Sequence, residues 1–131
     1  MPYVELLMAP SGEAANQALE DAIREPHILV INGSVPVNDG GVYCTVAGDT
    51  VENMLRHCAE NASHILAVGS CAYFGSIQAA RPNPTGAVGI RDILTDRTVI
   101  NVPGCPPRPQ AILEAVVLAR SIWMKKLGLE E

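Results

Sequence analysis

His64-Ile65-Leu66-Ala67-Val68-Gly69-Ser70-Cys71 is the stretch that decides the fold. A short apolar run closed by glycine is the mark of a strand covered on both faces, and such strands belong to parallel sheets flanked by helices. Two further segments have the same form. His27-Ile28-Leu29-Val30-Ile31 ends at Asn32-Gly33, and Thr98-Val99-Ile100-Asn101-Val102 ends at Pro103-Gly104-Cys105. Helical patterns alternate with these strands. Glu13–Arg24 places Ala15, Ala18, Leu19, Ala22 and Ile23 on one face, with Ser11 as the expected cap. Thr50–Asn61 does the same with Val51, Met54, Leu55 and Cys58, capped by Asp49 or Thr50. A further helix is expected over Ala87–Leu94. The last runs over Pro109–Lys126, with Pro109 suited to a first turn. Tyr3–Met8 reads as one more short strand. The expected class is α/β, a parallel sheet with helices on both faces, in one domain over residues 1–131.

In such sheets ligands bind beyond the carboxyl ends of the strands. Three turns therefore converge on one rim: Asn32-Gly33-Ser34, Gly69-Ser70-Cys71-Ala72 and Pro103-Gly104-Cys105-Pro106-Pro107. Two long irregular segments, Ser34–Gly48 and Gly75–Gly86, are the kind of loop that usually carries function. In the first, Asp39-Gly40-Gly41 favours a tight turn or hairpin.

Composition narrows the function. Net charge is −5 with no basic block, which argues against nucleic acid. No apolar stretch approaches the roughly 20 residues that span a bilayer, and no signal peptide is legible, so a soluble, cytoplasmic protein is expected. With that setting the four cysteines, Cys44, Cys58, Cys71 and Cys105, suit metal ligation or burial better than disulfides. Cys58 falls on the apolar face of its helix and reads as core. Cys44 lies in the first long loop.

Cys71 and Cys105 each follow a strand directly, in a turn opened by glycine. Backbone N–H groups exposed in such turns hydrogen-bond sulfur, and thiolates are what iron–sulfur clusters need. Pro106-Pro107 fix the backbone and remove two competing donors. On spacing alone, a buried small side chain fits both positions equally well. Zinc needs a third ligand, and His27, His57 and His64 are the only histidines, the last two at structural positions in a helix and at a strand start. The three turns would also suit a phosphate or a flavin, but no Gly-x-Gly-x-x-Gly or Walker motif is present.

Three blocks carry a family resemblance: Val68–Ala87 (Val-Gly-Ser-Cys-Ala-Tyr-Phe-Gly-Ser-Ile-Gln-Ala-Ala-Arg-Pro-Asn-Pro-Thr-Gly-Ala), Ile100–Pro109 (Ile-Asn-Val-Pro-Gly-Cys-Pro-Pro-Arg-Pro), and Asn32–Pro36 with Asp39–Thr45. Together they resemble the small subunits of nickel–iron hydrogenases over nearly the whole chain. The related subunit of respiratory complex I shares the Pro-Gly-Cys-Pro-Pro turn but typically not the Gln-Ala-Ala-Arg-Pro-Asn-Pro-Thr-Gly run. The resemblance implies a flavodoxin-like domain holding a proximal 4Fe–4S cluster through four cysteines, of which Cys71 and Cys105 match the third and fourth. Gly69, Ser70, Gly104, Pro106 and Asn32 would surround the cluster. Gln78, Arg81, Pro82, Asn83, Pro84, Thr85 and Gly86 would lie against the large subunit that bears the nickel–iron centre. The implied reaction is reversible oxidation of H2, with further electron-transfer subunits as possible partners.

The departures are specific. The family's first strand, with its Cys-x-x-Cys, has no counterpart in this chain, so the start is expected to be truncated relative to the family. Tyr3–Met8 and His27–Ile31 would then have unpaired edges beside a gap. Of the 26 residues after Cys105 none is Cys or His, so at most one cluster site is expected. Asn32 stands where the family block usually has Glu. Ser76 stands where oxygen-tolerant members carry an extra Cys. Two alternatives accompany this reading: a cluster-free assembly module that keeps the family surface, and the cluster-bearing subunit of a complex I-like membrane-bound hydrogenase.

Overall fold

A computed structural model describes residues 11–129, so the expected strand Tyr3–Met8 lies outside the described residues. In chain order the elements are α1 (Glu13–Ile23), β1 (His27–Asn32), β2 (Val35–Pro36), a 3-10 turn (Asn38–Gly41), β3 (Thr45–Val46), β4 (Asp49–Thr50), α2 (Val51–Ala59), β5 (Ala62–Val68), α3 (Ser70–Phe74), α4 (Ser76–Ala79), β6 (Ala87–Val88), α5 (Ile90–Ile93), β7 (Val99–Val102) and α6 (Pro109–Lys126).

The centre is a parallel sheet ordered β1-β5-β7. β5 is the middle strand, pairing Ile28–Asn32 with His64–Val68 on one side and Val99–Val102 with Ile65–Val68 on the other. Side chains alternate across it. Ile65 and Ala67 join one core with Leu55 and Ala59 of α2, Ala72 of α3, and Ile90 and Ile93 of α5. Leu66 is fully buried, and so is Ala119 of α6, which packs along the strands. The sheet is thus covered on both faces, as the uninterrupted apolar run of β5 requires.

β1 departs from the expected buried strand. None of its residues is buried and Val30 is half exposed, because among the described residues β1 has a neighbour on one edge only. α1 forms as expected, but Gly12, not Ser11, stands at its N-cap, with no side-chain cap. Of its apolar face only Ile23 is buried. α1 is tied to the rest by Asn61, whose Nδ2 donates to the Ile23 carbonyl at 3.0 Å, and by the Glu20–His57 pair at 3.1 Å.

Thr50 caps α2, its Oγ1 accepting from the Asn53 N–H at 3.3 Å, while Asp49 Oδ1 accepts from the Thr50 N–H and the Asn53 amide. The expected helix over Ala87–Leu94 is only the single turn of α5. Ala87–Val88 instead pairs antiparallel with Val35–Pro36. The Asn83 side chain enforces this by accepting from the Ala87 N–H at 2.8 Å and donating to the Ala87 carbonyl at 3.0 Å. The hairpin expected at Asp39-Gly40-Gly41 also lies elsewhere. Those residues form a turn with Asp39 and Gly40 left-handed, and the antiparallel pair is β3–β4, around Ala47-Gly48.

Candidate functional site

The carboxyl ends of β5 and β7 are laced together beyond the sheet. The Gly69 N–H donates to the Val102 carbonyl at 2.8 Å. The Ser70 N–H and Oγ both donate to the Gly104 carbonyl, at 2.9 and 3.3 Å. Cys71 and Cys105 are the next residues along the two segments. Cys71 sits in the first turn of α3 and accepts through its carbonyl from the Gly75 N–H at 3.0 Å. Cys105 is exposed and starts a turn that reaches α6 only at Pro109, with a cis bond to Pro106. Only glycine fits at 104. Its φ is +134°, and a Cβ there would stand 2.5 Å from Pro107 Cα and 2.8 Å from the Pro106 carbonyl oxygen.

Both cysteines line one open cleft of about 340 Å³. Asn32 enters its wall from the end of β1, beside Val68 in the ladder, and Gln78 from α4. Gly69, Ser70, Gly104 and Pro106 complete the expected surroundings. Among the described residues no Asp, Glu, Lys, Arg or His lines the cleft. The donors are therefore soft sulfur with neutral amide and backbone groups around it, which suits an iron–sulfur cluster and not a hard cation. Among the described residues no group of three or more His, Cys, Asp or Glu gathers as a metal-holding set. A 4Fe–4S cluster is held by four thiolates, of which these two could supply two.

The other candidates lie elsewhere. Cys58 is buried on α2, and burial, assisted by the Glu20 charge, pushes its thiol above the usual range. Cys44 does not line the cleft; its backbone bonds Gly41 and Val51. His27 is held between the Glu25 and Cys58 carbonyls, both at 2.8 Å. His57 is raised above the ordinary histidine range, first by the hydrogen bond to Glu20. His64, on β5, is lowered by desolvation and then by Lys126.

The 78–86 loop has a defined shape. Thr85 and Gly86 carbonyls accept from the Asn38 and Val37 N–H groups at 3.0 and 3.2 Å, and Asn38 Nδ2 donates to the Pro84 carbonyl at 2.9 Å. Arg81, Pro82 and Pro84 are exposed, while Asn83, Thr85 and Gly86 are partly covered. Gln78, read from sequence as a partner contact, is part of the cleft wall. The structure adds Phe74 and Ile77, exposed at 49% and 78% on α3 and α4, the helices that carry Cys71 and Gln78. Their sequence signal was the apolar pair flanking Gly75-Ser76, which looks like ordinary core until Gly75, at φ +92°, separates α3 from α4.

The family described as NADH ubiquinone oxidoreductase, 20 Kd subunit, matches residues 2–119. The chain belongs to that family. It is 41% identical over 119 residues to the hydrogenase-2 small chain of Escherichia coli K12, covering 88% of this chain and 32% of that one. It is 44% identical over 110 residues to the uptake hydrogenase small subunit of Azotobacter vinelandii, covering 82% and 31%. The chain thus spans about a third of the length of these relatives. Among solved structures, a NiFeSe hydrogenase of Desulfovibrio vulgaris Hildenborough is similar at 38% identity and TM-score 0.83, over 94% of this chain and 47% of that one. The Ni-Fe-Se hydrogenase of Desulfomicrobium baculatum gives 28% and 0.89, over 98% and 52%. The resemblance to hydrogenase small subunits and the flavodoxin-like α/β class both stand. Among the described residues no helix is long and apolar enough to cross a membrane.

Proposed function

We propose that the chain is an electron-transfer small subunit of a nickel–iron hydrogenase. Cys71 and Cys105 supply two thiolates to a proximal 4Fe–4S cluster. The observation that carries this reading is that both thiols line one cleft, on turns locked to each other through the Gly104 carbonyl. When bound, such a cluster supplies one-electron storage and transfer. The chain's own residues position and shield it. Ser70 and Gly104 fix the spacing of the two turns. Gly69 lets the backbone approach closely, and Pro106 and Pro107 stiffen the rim.

The partner would be the large subunit in which H2 is split to protons and electrons. The ordered 78–86 loop and the exposed Phe74 and Ile77 form the docking face, since apolar groups beside a redox site exclude water once covered. Identity of about 40% to hydrogenase small chains favours this over a complex I-like role.

The test is H2-driven dye reduction by the purified complex. Cys105→Ser should retain the large subunit and lose dye reduction at least about a hundredfold. Unchanged turnover with both Cys71 and Cys105 replaced would refute the proposal.

A further inference from the structure

We propose that Asn32 and Gln78 raise the reduction potential of the cluster held by Cys71 and Cys105, by donating amide N–H hydrogen bonds toward its sulfur atoms. The inference rests on the cluster assignment above. It starts from the cleft wall, which among the described residues has no charged side chain and no side-chain amide besides these two.

Both residues are exposed, and among the described residues neither side chain makes an intramolecular hydrogen bond. Of the other asparagines, Asn38, Asn53, Asn61 and Asn83 are engaged, with Pro84, Asp49, Ile23 and Ala87, while Asn16 and Asn101 also show no side-chain bond among the described residues but lie outside the cleft. Asn32 and Gln78 are also held in place. Asn32 is the last residue of β1, in register with Val68, three residues before Cys71. Gln78 rides on α4, which starts from Gly75, and the Gly75 N–H is bonded to the Cys71 carbonyl. Each amide thus has donors unengaged among the described residues and is fixed through backbone to the strand–helix turn that presents Cys71.

Reduction adds one electron and breaks no bond. The added charge is spread over sulfur, so an N–H dipole aimed there stabilises the reduced form more than the oxidised form. Hydrogen bonds to sulfur and net charge are two of the factors that set cluster potentials. Covering the cleft with a partner strengthens the effect, because the field of a dipole grows as water leaves. A carboxylate of the same shape acts in the opposite sense, offering no donor and adding a negative charge.

EPR-monitored redox titration of the assembled complex tests this. The variants are Asn32→Asp, Gln78→Glu, the conservative Asn32→Gln, and Lys125→Gln, at the C-terminal end of α6 and the opposite end of the sheet, as a distant control with the same change of one charge unit. Asn32→Asp and Gln78→Glu should each move the reduction equilibrium about tenfold toward the oxidised form, some 59 mV lower for one electron. Iron content should be unchanged, and Asn32→Gln and Lys125→Gln should stay near the unaltered protein. Full iron with unmoved potentials in both carboxylate variants overturns the proposal and leaves the cluster assignment standing. Loss of iron in those variants alone also overturns it, since the amides would then hold the site and not tune it. An unaltered complex without iron overturns the assignment and the proposal together.

Discussion

Replacing Gly104 with alanine separates two ways in which the site could fail. The added Cβ would lie 2.5 Å from Pro107 Cα and 2.8 Å from the Pro106 carbonyl oxygen, both backbone atoms that cannot swing aside. Keeping the native turn costs about 1–3 kcal/mol for the glycine-only φ of +134°. Forcing an extra carbon into packed backbone adds about 1–3 kcal/mol. The alternative is to open the turn. That gives up the two hydrogen bonds from Ser70 to the Gly104 carbonyl, at about 0.5–1.5 kcal/mol each, or about 1–3 kcal/mol in all. Opening is the cheaper route, so the damage should appear in the site more than in global stability. Urea denaturation of Gly104→Ala should show about 1–3 kcal/mol of destabilisation, and iron content should fall below half. Gly33→Ala is the control. Gly33 also lines the cleft, at φ +82°, but a Cβ there meets nothing within 4 Å, so only about 1–2 kcal/mol of backbone strain is expected, with iron retained. Native stability and full iron in Gly104→Ala would refute the view that this turn sets the ligand geometry.

Leu66→Ala, at a fully buried position of the central strand, should destabilise by about 2–5 kcal/mol in the same assay. Arg97→Met should cost about 2–4 kcal/mol, because the guanidinium donates to the Ala59 carbonyl at the end of α2 and the Ala62 carbonyl at the start of β5, and its loss removes both bonds. The pairing of His57 with Glu20 raises the histidine pKa, so its contribution is fully present below about pH 6.5 and is lost as pH rises through the higher folded value. Hydrogen exchange in α1 should therefore quicken, beyond its intrinsic pH dependence, from about pH 6.5 upward, and His57→Gln should abolish that excess. In iron-free protein, iodoacetamide should modify exposed Cys105 first and buried Cys58 last, read by mass spectrometry of timed digests.

Local pattern was enough to find β5, β7, α2 and α6, because an apolar run ended by glycine and a long helix opened by proline carry their own boundaries. It also put Cys71 and Cys105 on one rim, since strand ends in a parallel sheet share a side. What it missed depended on contacts distant in sequence or on side chains replacing backbone. Ala87–Val88 has a helical pattern, but the Asn83 amide and the Val35–Pro36 strand claim its hydrogen bonds. β1 looked buried because its residues are apolar, yet burial depends on neighbours that residue type does not name. The place of Gln78 in the cleft wall follows from the break at Gly75, which no periodicity marks.

Mössbauer spectra and iron content of the complex bearing Cys71→Ser, Cys105→Ser or both test most directly whether two sulfurs bind one cluster. Each single change should remove or alter the same proximal signal, and the double change should remove no further iron-bearing species. Spectra identical to those of the unaltered complex after either substitution would contradict shared ligation.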